Sequence, residues 1–122
     1  MAFHSRLKRV EEQIRLEIAT IIQKNLKDPR LTTMISVLSV RVSKDLRSAK
    51  VYISSLNANA DNIRETLDVL NKAKGFIRKL LGERLTIKYT PELEFFYDDS
   101  IEYAAHINQV LYRLHKEEET SR

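Results

Sequence analysis

The sequence predicts one α+β domain, in which a three-stranded sheet carries helices on one face. Apolar residues recur at helical spacing in four segments and alternate with polar residues in three others. The length of 122 residues falls within the usual range for one domain. The predicted order is helix, strand, strand, helix, a glycine break, helix and strand, followed by a last helix. Such grouping is typical of one sheet covered by one helical layer.

The first helix is predicted to run from Ser5, as its N-cap, to about Leu26. Asp28-Pro29 is expected to stop it, because proline disfavours the α region for the residue before it. Opposite charges four residues apart are expected to pair on its exposed side, Lys8 with Glu12 and Glu11 with Arg15. Its apolar stripe is Leu7, Val10, Ile14, Ile18 and Ile21.

Two alternating runs, residues 35–42 and 49–56, predict a β-hairpin joined by a turn at residues 43–46. The first run places Leu38, Val40 and Val42 on one face. The turn is longer than the tightest hairpin loops, which have two residues.

The next helical pattern is expected to start at an Asp61 cap and to break at Gly75. Glycine inside a helix costs about 1 kcal/mol relative to alanine, so Gly75 indicates a kink between two helices. Phe76 is expected to pack in the core, and Gly82 to lie at the end of the second helix.

The third strand is predicted around Pro91, with a local irregularity because proline cannot donate to the ladder. Its alternating residues are Leu85, Ile87, Tyr89, Leu93, Phe95 and Tyr97. Ser100 can cap a last helix with an apolar stripe, and residues 117–119 give it an acidic end. We therefore divide the chain into a domain at residues 1–99 and a helical extension at residues 100–122.

The composition favours a cytoplasmic protein that binds a polyanion. The chain has no cysteine, no N-terminal apolar run and no stretch long enough to cross a membrane, so no disulfide, signal peptide or membrane partner is expected. Residues 1–89 hold 18 basic and 9 acidic side chains, whereas residues 90–122 hold 3 basic and 8 acidic ones. A basic body with an acidic tail suggests nucleic-acid binding, against the alternative of ordinary surface solvation.

The residues give little support for catalysis, a metal or a cofactor. Two glycines cannot form a glycine-rich phosphate loop. The histidines His4, His106 and His115 are scattered, whereas metal sites need several clustered ligands. The carboxylates Glu92, Glu94, Asp98 and Asp99 could form an acid–base pair or a nuclease metal site, but solvated strand and helix ends explain them better.

Basic residues crowd around the two glycines, and this segment is the candidate RNA site. Asp68–Lys72 and Lys79–Glu83 can pair within the helices, whereas Lys74 and Arg78 have no such partner. Unpaired cations beside a flexible glycine suit phosphate contacts, as does the helix N-terminus expected near Phe76. The predicted RNA-binding residues are Lys72, Lys74, Gly75, Arg78, Lys79 and Arg84. Because Phe76 is assigned to the core, base stacking is not expected, and recognition of RNA backbone and shape is favoured.

The chain resembles the ribosome-binding factor A family over about residues 3–114. The matching segments are RLKRVEEQI at residues 6–14, DPRL at 28–31, VSKDLRSAKVYIS at 42–54, GFIR at 75–78, PELEF at 91–95 and DDSIE at 98–102. Each segment alone is weak, but their order and spacing together are specific. The family often has a glycine where this chain has Ala104, so the last helix is expected to be more regular here or to dock differently.

The resemblance implies a KH-like fold of the second type with an Ala-x-Gly kink, here Ala73-Lys74-Gly75, between its central helices. It implies a non-enzymatic factor that binds free small ribosomal subunits and their rRNA. It also implies a role in late maturation and processing of that rRNA near its 5′-terminal helix, and in growth in the cold. Ribosomal proteins are further candidate partners, and a monomer is expected. The alternatives are a general KH-like RNA chaperone and a protein-interaction module that uses the last helix.

Overall fold

A computed structural model describes residues 2–28, 31, 34–55, 59–98 and 112–115 of the chain. Within these ranges, three helices and three strands lie between residues 2 and 98, and residues 112–115 are also helical. These six elements are α1 (Ala2–Lys24), β1 (Ile35–Val42), β2 (Ser48–Ser55), α2 (Ala60–Lys72), α3 (Lys74–Arg84) and β3 (Glu92–Tyr97). This order confirms the predicted α+β class.

The sheet has the strand order β1-β2-β3, so β2 is central. β1 and β2 are antiparallel and form the predicted hairpin, and β3 lies parallel to β2 from Ser48 opposite Glu92 to Ile53 opposite Tyr97. A parallel neighbour requires a crossover, which here contains α2 and α3. The two helices therefore connect one end of the central strand to the start of an edge strand.

The core lies between one face of the sheet and the helices. Ile14, Ile18 and Ile21 of α1 are fully buried, as the apolar stripe predicts. α1 packs mainly on β1 and also contacts α3, while α2 and α3 pack on β3. The other buried members of this cluster are Ile22, Val37, Val40, Val42, Ala49, Val51, Ile53, Leu70, Ile77, Leu81, Leu93 and Phe95.

A β-bulge changes which residues of β1 face the core. The pairing register shifts between Val37 and Ser39, so Leu38 is an extra residue without a direct partner. As a result Val37 is buried together with Val40 and Val42, whereas Leu38 is only half-buried. The prediction that Leu38 lies on the core face with its i+2 neighbours was wrong because the bulge interrupts the alternation.

Side chains of the helices cover the polar groups of both sheet edges. A carboxylate oxygen of Glu11 accepts the N–H of Val42 at 2.7 Å, and Arg15 donates to the carbonyl of Val37 at 3.3 Å. At the other edge the side-chain oxygen of Asn71 accepts the N–H of Phe95 at 3.3 Å. Unpaired edge groups invite pairing with another chain, so these contacts protect the sheet.

These edge contacts replace the predicted charge pairs of α1. Arg15 pairs with Glu12 three residues away, with Nε–Oε2 and Nη2–Oε1 distances of 2.9 and 2.5 Å. The hydrogen bond to Arg15 lowers the pKa of Glu12 and raises that of Arg15. The predicted Glu11–Arg15 and Lys8–Glu12 pairs were wrong, because Glu11 reaches the sheet and Glu12 takes Arg15.

Two predicted helix caps were also wrong. α1 begins at Ala2 and passes through Ser5, and α2 is capped by Asn59 and not by Asp61. The side-chain oxygen of Asn59 accepts the N–H of Asn62 at 2.9 Å, which leaves Asp61 in the first turn where its charge suits the helix dipole. The helix α1 ends at Lys24, close to the predicted stop, while Pro29 lies outside the described residues.

The third strand is shorter than predicted and starts after Pro91. Residues 85–91 form a loop in which Pro91 is fully buried and Leu85 and Ile87 are half-buried, so their alternation reflects packing of a loop. Of the predicted last helix, residues 112–115 are helical, and Ser100, Ala104 and the acidic end lie outside the described residues. Among the helices that are described, none is long and apolar enough to cross a membrane.

Candidate nucleic-acid interface

The two central helices meet at Ala73, which both ends α2 and begins α3. Its N–H donates to the carbonyl of Val69 at 3.0 Å, and its own carbonyl accepts the N–H of Ile77 at 3.0 Å. Its backbone angles, φ −89° and ψ 1°, interrupt the helical geometry. The break thus lies within the Ala73-Lys74-Gly75 segment, but at the alanine and not at Gly75, which is the second residue of α3.

One face of α3 forms the wall of a groove. Gly75, Arg78, Lys79 and Gly82 are spaced by three and four residues and share this face. The opposite wall is the loop at residues 88–90, and the groove encloses about 470 Å³. We call this feature the α3 groove. Its walls therefore combine three cations, counting Lys88, with two positions that carry no side chain.

The two glycines of the α3 groove have different surroundings. A Cβ atom built on Gly75 meets no atom within 4 Å, so the backbone of the first turn is open there. A Cβ atom on Gly82 would lie 2.8 Å from the Oγ1 of Thr90. Neither glycine has a positive φ. Gly82 thus lies inside the last turn of α3, where it permits close packing of the loop, and does not terminate the helix as predicted.

The guanidinium of Arg78 holds the loop against α3. Its Nε and Nη2 atoms donate to the carbonyl of Thr90 at 3.1 and 2.8 Å. The expectation that Arg78 has no partner was therefore wrong, since its partner is a backbone carbonyl twelve residues away. Arg78 shapes the groove, and its positive charge remains exposed in it because the carbonyl carries no net charge.

The other predicted cations fall into two groups. Lys72 pairs with Asp68 at 3.1 Å, as predicted. Arg84 binds Glu17 of α1 at 3.8 Å and Asn25, just after α1, at 2.9 Å. Lys74 and Lys79 are exposed and, within the described ranges, have no hydrogen bond or ion pair, so the predicted Lys79–Glu83 pair does not form. Lys74 and Lys79 are consequently the predicted cations that remain available to an anion.

Sequence reasoning missed Lys88 and Tyr89, which complete the groove. The Nζ atom of Lys88 lies 5.5 Å from the ring centroid of Tyr89, and Tyr89 is 62% exposed. Both residues were assigned to the third strand, where alternation gives Tyr89 an inward direction. The adjacent pair Lys88-Tyr89 is a basic–aromatic signal that the strand assignment concealed.

Exposed aromatic rings do lie near the cations. Phe76 is 47% exposed, so its assignment to the core was wrong. α3 buries Ile77 and Leu81 on its inner side, and Phe76 lies to one side of these two. Together with Tyr89, it removes the argument against base contacts in this region.

The electrostatics favour an anion on the Gly75 side of the groove. Ala73 supplies no side-chain hydrogen bond to the start of α3, so the first-turn N–H groups have no side-chain cap. Such a helix start attracts phosphate. The one nearby carboxylate among the lining residues is Glu92, which faces a neighbouring groove with Lys74, Gly75 and Arg78. Gly75, Lys79 and Lys88 therefore line a groove whose lining includes no carboxylate.

A metal or acid–base centre has no geometric support in the described part of the chain. No three His, Cys, Asp or Glu side chains there are close enough to hold a metal ion. Glu92 and Glu94 are exposed on β3, and the Asp99 and His106 considered with them lie outside the described residues. The arrangement at α3 is suited to binding an anionic polymer.

A family model described as ribosome-binding factor A matches residues 6–111. The chain is 46% identical over 106 residues to the protein of that name from Clostridium botulinum, and the match covers 87% of this chain and 91% of the relative.

Solved structures show the same fold. The crystal structure of ribosome-binding factor A from Thermus thermophilus aligns with a TM-score of 0.66 and 30% identity, over 75% of this chain and 93% of that one. A homology model of the Thermus thermophilus factor, fitted into a cryo-electron-microscopy map of its 30S complex, aligns with a TM-score of 0.63 and 29% identity. That alignment covers 76% of this chain and 96% of the other.

Proposed function

This chain belongs to the ribosome-binding factor A family, and from that premise we propose that it binds the small ribosomal subunit by holding rRNA phosphates in the α3 groove. The observation that carries the proposal is an open helix start at Gly75 with cations around it, Lys79 and Lys88 in the groove and Lys74 beside it. None of these three lysines has a carboxylate partner within the described ranges. Phosphate contacts of this kind position RNA without reading its sequence.

The proposed role is assistance to rRNA folding without catalysis. A protein that binds one conformation of the immature subunit more tightly shifts the equilibrium toward it, by no more than the difference in affinity. We assign this action to late maturation and processing of small-subunit rRNA near its 5′-terminal helix, in the cytoplasm, by a monomer. Residues 1–99 would bind RNA, and residues 100–122 would supply a separate helical contact.

Co-sedimentation with free small subunits and with joined ribosomes, at one salt concentration, tests the site. The test variant is Lys74→Glu with Lys79→Glu, because neither residue has a fold-stabilising contact in the described region. Arg78 is left intact, since its bonds to Thr90 hold the loop. We expect the wild type to travel with free small subunits and the variant to lose most of this binding without a change in thermal melting.

The matched control is Lys24→Glu with Arg64→Glu. These cations are exposed on α1 and α2, and they line none of the grooves around α3. The control changes the net charge by the same amount, so a general charge effect would weaken both variants equally. Wild-type binding by the groove variant would reject the α3 groove as the site.

The alternative is a general RNA chaperone without ribosome specificity. It is favoured by the contribution of backbone N–H groups and cations to the groove, because these recognise any RNA backbone. This alternative predicts equal affinity for small subunits and for unrelated structured RNAs at matched salt. A clear preference for small subunits would reject it.

A further inference from the structure

A second cavity, which is apolar, lies beside the α3 groove, and one wall separates the two. The cavity encloses about 270 Å³ and reaches down to Ile14 and Val42, with Lys88 and Tyr89 on the side toward the groove. Both residues also line the α3 groove. We call this cavity the apolar slot. The rest of its lining is Val10, Asp45, Leu46, Ile87 and Pro91.

The rim of the apolar slot contains a strained residue. Leu46 has φ 64°, in the left-handed region that is strained for an L-residue with a side chain. It lies in the turn between β1 and β2, at a position that glycine or asparagine would occupy without strain. Leu46 is nevertheless an apolar residue and is 38% exposed. Strain at a rim residue points toward a role for that side chain outside the fold.

The slot also has a directed hydrogen-bond acceptor. The Oδ1 atom of Asp45 accepts the Ser43 hydroxyl at 2.6 Å and the N–H of Arg47 at 3.1 Å. These bonds fix the orientation of the carboxylate. Asp45 is an exposed residue of the slot lining, and within the described part of the chain its Oδ2 atom has no hydrogen bond, which leaves that atom free to accept one.

We propose that the apolar slot receives one unpaired RNA base whose phosphates lie in the α3 groove, and that Asp45 selects bases with an exocyclic amino group. The inference rests on the proposed function, which supplies RNA as the polymer held at the cations of the groove. Sequence-specific RNA recognition mostly uses unpaired bases that leave the stack. The slot is slightly smaller than small-molecule pockets, which occupy about 300–1,000 Å³, and so suits a single planar base.

The chemistry of the walls fits this occupant. Apolar and aromatic walls bury the faces of an extruded base, and polar groups read its edge. A carboxylate accepts hydrogen bonds only, so Asp45 suits the amino groups of adenine, cytosine and guanine. Uracil offers only its N3–H, which lies between two carbonyl oxygens that repel a carboxylate, so its bond to Asp45 is weaker. The ridge of Lys88 and Tyr89 separates the two cavities, and a nucleotide that crosses it would place its phosphate and base on opposite sides.

Binding of short single-stranded RNAs to the full chain tests the proposal. The first probe is an oligouridine with one central 2-aminopurine, whose fluorescence reports transfer of the base into a cavity. The others are oligouridines with one central adenosine, cytidine, guanosine or uridine, compared at one low salt concentration. We expect the 2-aminopurine signal to change on binding and the amino-bearing bases to bind about ten-fold tighter than uridine, as for one hydrogen bond to a charged group.

Leu46→Gly is the variant that separates function from folding. Glycine accepts the left-handed φ of residue 46, so the fold tolerates the change, while one wall of the slot is lost. We expect the preference over uridine to fall to about two-fold or less, near the limit of measurement. Leu46→Asn, which also tolerates this φ, is the second variant if thermal melting shows that the glycine variant is unstable.

Three results would overturn the inference. Equal affinity for all four central bases would show that no base is read, and undiminished discrimination by Leu46→Gly would place the reading elsewhere. Loss of small-subunit binding by Leu46→Gly, with unchanged oligonucleotide binding, would show that the slot accepts a protein side chain. Lys74→Glu with Lys79→Glu tests the proposed function separately, because it leaves the slot intact and should weaken every oligonucleotide alike.

Discussion

Replacement of Gly75 by alanine separates the stability of α3 from its function. A Cβ atom at Gly75 meets nothing within 4 Å, and the residue has no positive φ. Alanine therefore fits without strain and removes conformational freedom from the unfolded chain, which stabilises a protein by about 0.4–1 kcal/mol at compatible sites. For a domain of this size, the expected rise in melting temperature is about 2–6 °C.

The same methyl group should weaken RNA binding. It would cover the first-turn backbone that is open at Gly75, and so keep a phosphate from approaching the N–H groups of α3. Loss of one hydrogen bond to a charged phosphate corresponds to about 1.5–3 kcal/mol, or at least ten-fold in affinity. Thermal melting and a small-subunit binding titration of Gly75→Ala measure the two effects independently.

Gly82→Ala provides the comparison. Its Cβ atom would lie 2.8 Å from the Oγ1 of Thr90, so the Thr90 side chain must move and the gain in helix propensity is offset. We expect no stabilisation from Gly82→Ala. Unchanged subunit affinity in a stabilised Gly75→Ala protein would refute phosphate contact with this backbone. Destabilisation by Gly75→Ala would refute the open helical geometry at Gly75.

Three further predictions concern the rest of the fold. Glu11→Ala should destabilise the protein by about 1–3 kcal/mol in urea unfolding, because the N–H of Val42 loses its acceptor. Glu11→Gln keeps a side-chain oxygen and should retain most of the stability. Equal effects of the two substitutions would contradict the edge contact. Ser55→Ala should raise stability by about 1 kcal/mol, since the buried Ser55 hydroxyl has no hydrogen-bond partner among the described residues, and a loss would show that it has one. Hydrogen bonds from the Ser43 hydroxyl, the larger cause, and from the Arg47 N–H lower the pKa of Asp45 in the folded protein. The unfolded state therefore binds more protons in acid, and the free energy of unfolding should fall as the pH drops below about 4. In thermal melts recorded over a range of pH, Asp45→Asn should lose less stability below about pH 4 than the wild type does. An equal loss in both proteins would contradict this assignment.

Helical and strand periodicity was sufficient to predict the fold class and most of the core. Burial of an apolar stripe is a local consequence of helix geometry, so Ile14, Ile18 and Ile21 could be assigned from spacing alone. Alternation likewise identified β2. It was misleading where one residue interrupts the period, as at the Leu38 bulge, and where a packed loop imitates a strand, as at residues 85–91.

The candidate site was predictable in its location but not in its composition. Charge density and the two glycines indicate the α3 segment, because both features are visible in a linear sequence. Which of its cations are paired and which are free was not predictable, since Arg84 pairs with Asn25 and Arg78 with Thr90, partners that are distant in sequence. Lys88 was missed because it comes from the loop that folds across α3.

The sequence by itself determined the elements, the apolar faces that they bury, the family and the basic character of α3. The elements, their apolar faces and the basic character of α3 depend on residues that are near one another along the chain, and the family depends on the order and spacing of short segments. Only the tertiary structure decided that Glu11 protects a strand edge, that Gly82 admits Thr90, and that the ridge at Lys88 and Tyr89 separates a cationic groove from an apolar slot. Each of these depends on a contact between distant segments, whose distance and direction no local pattern contains.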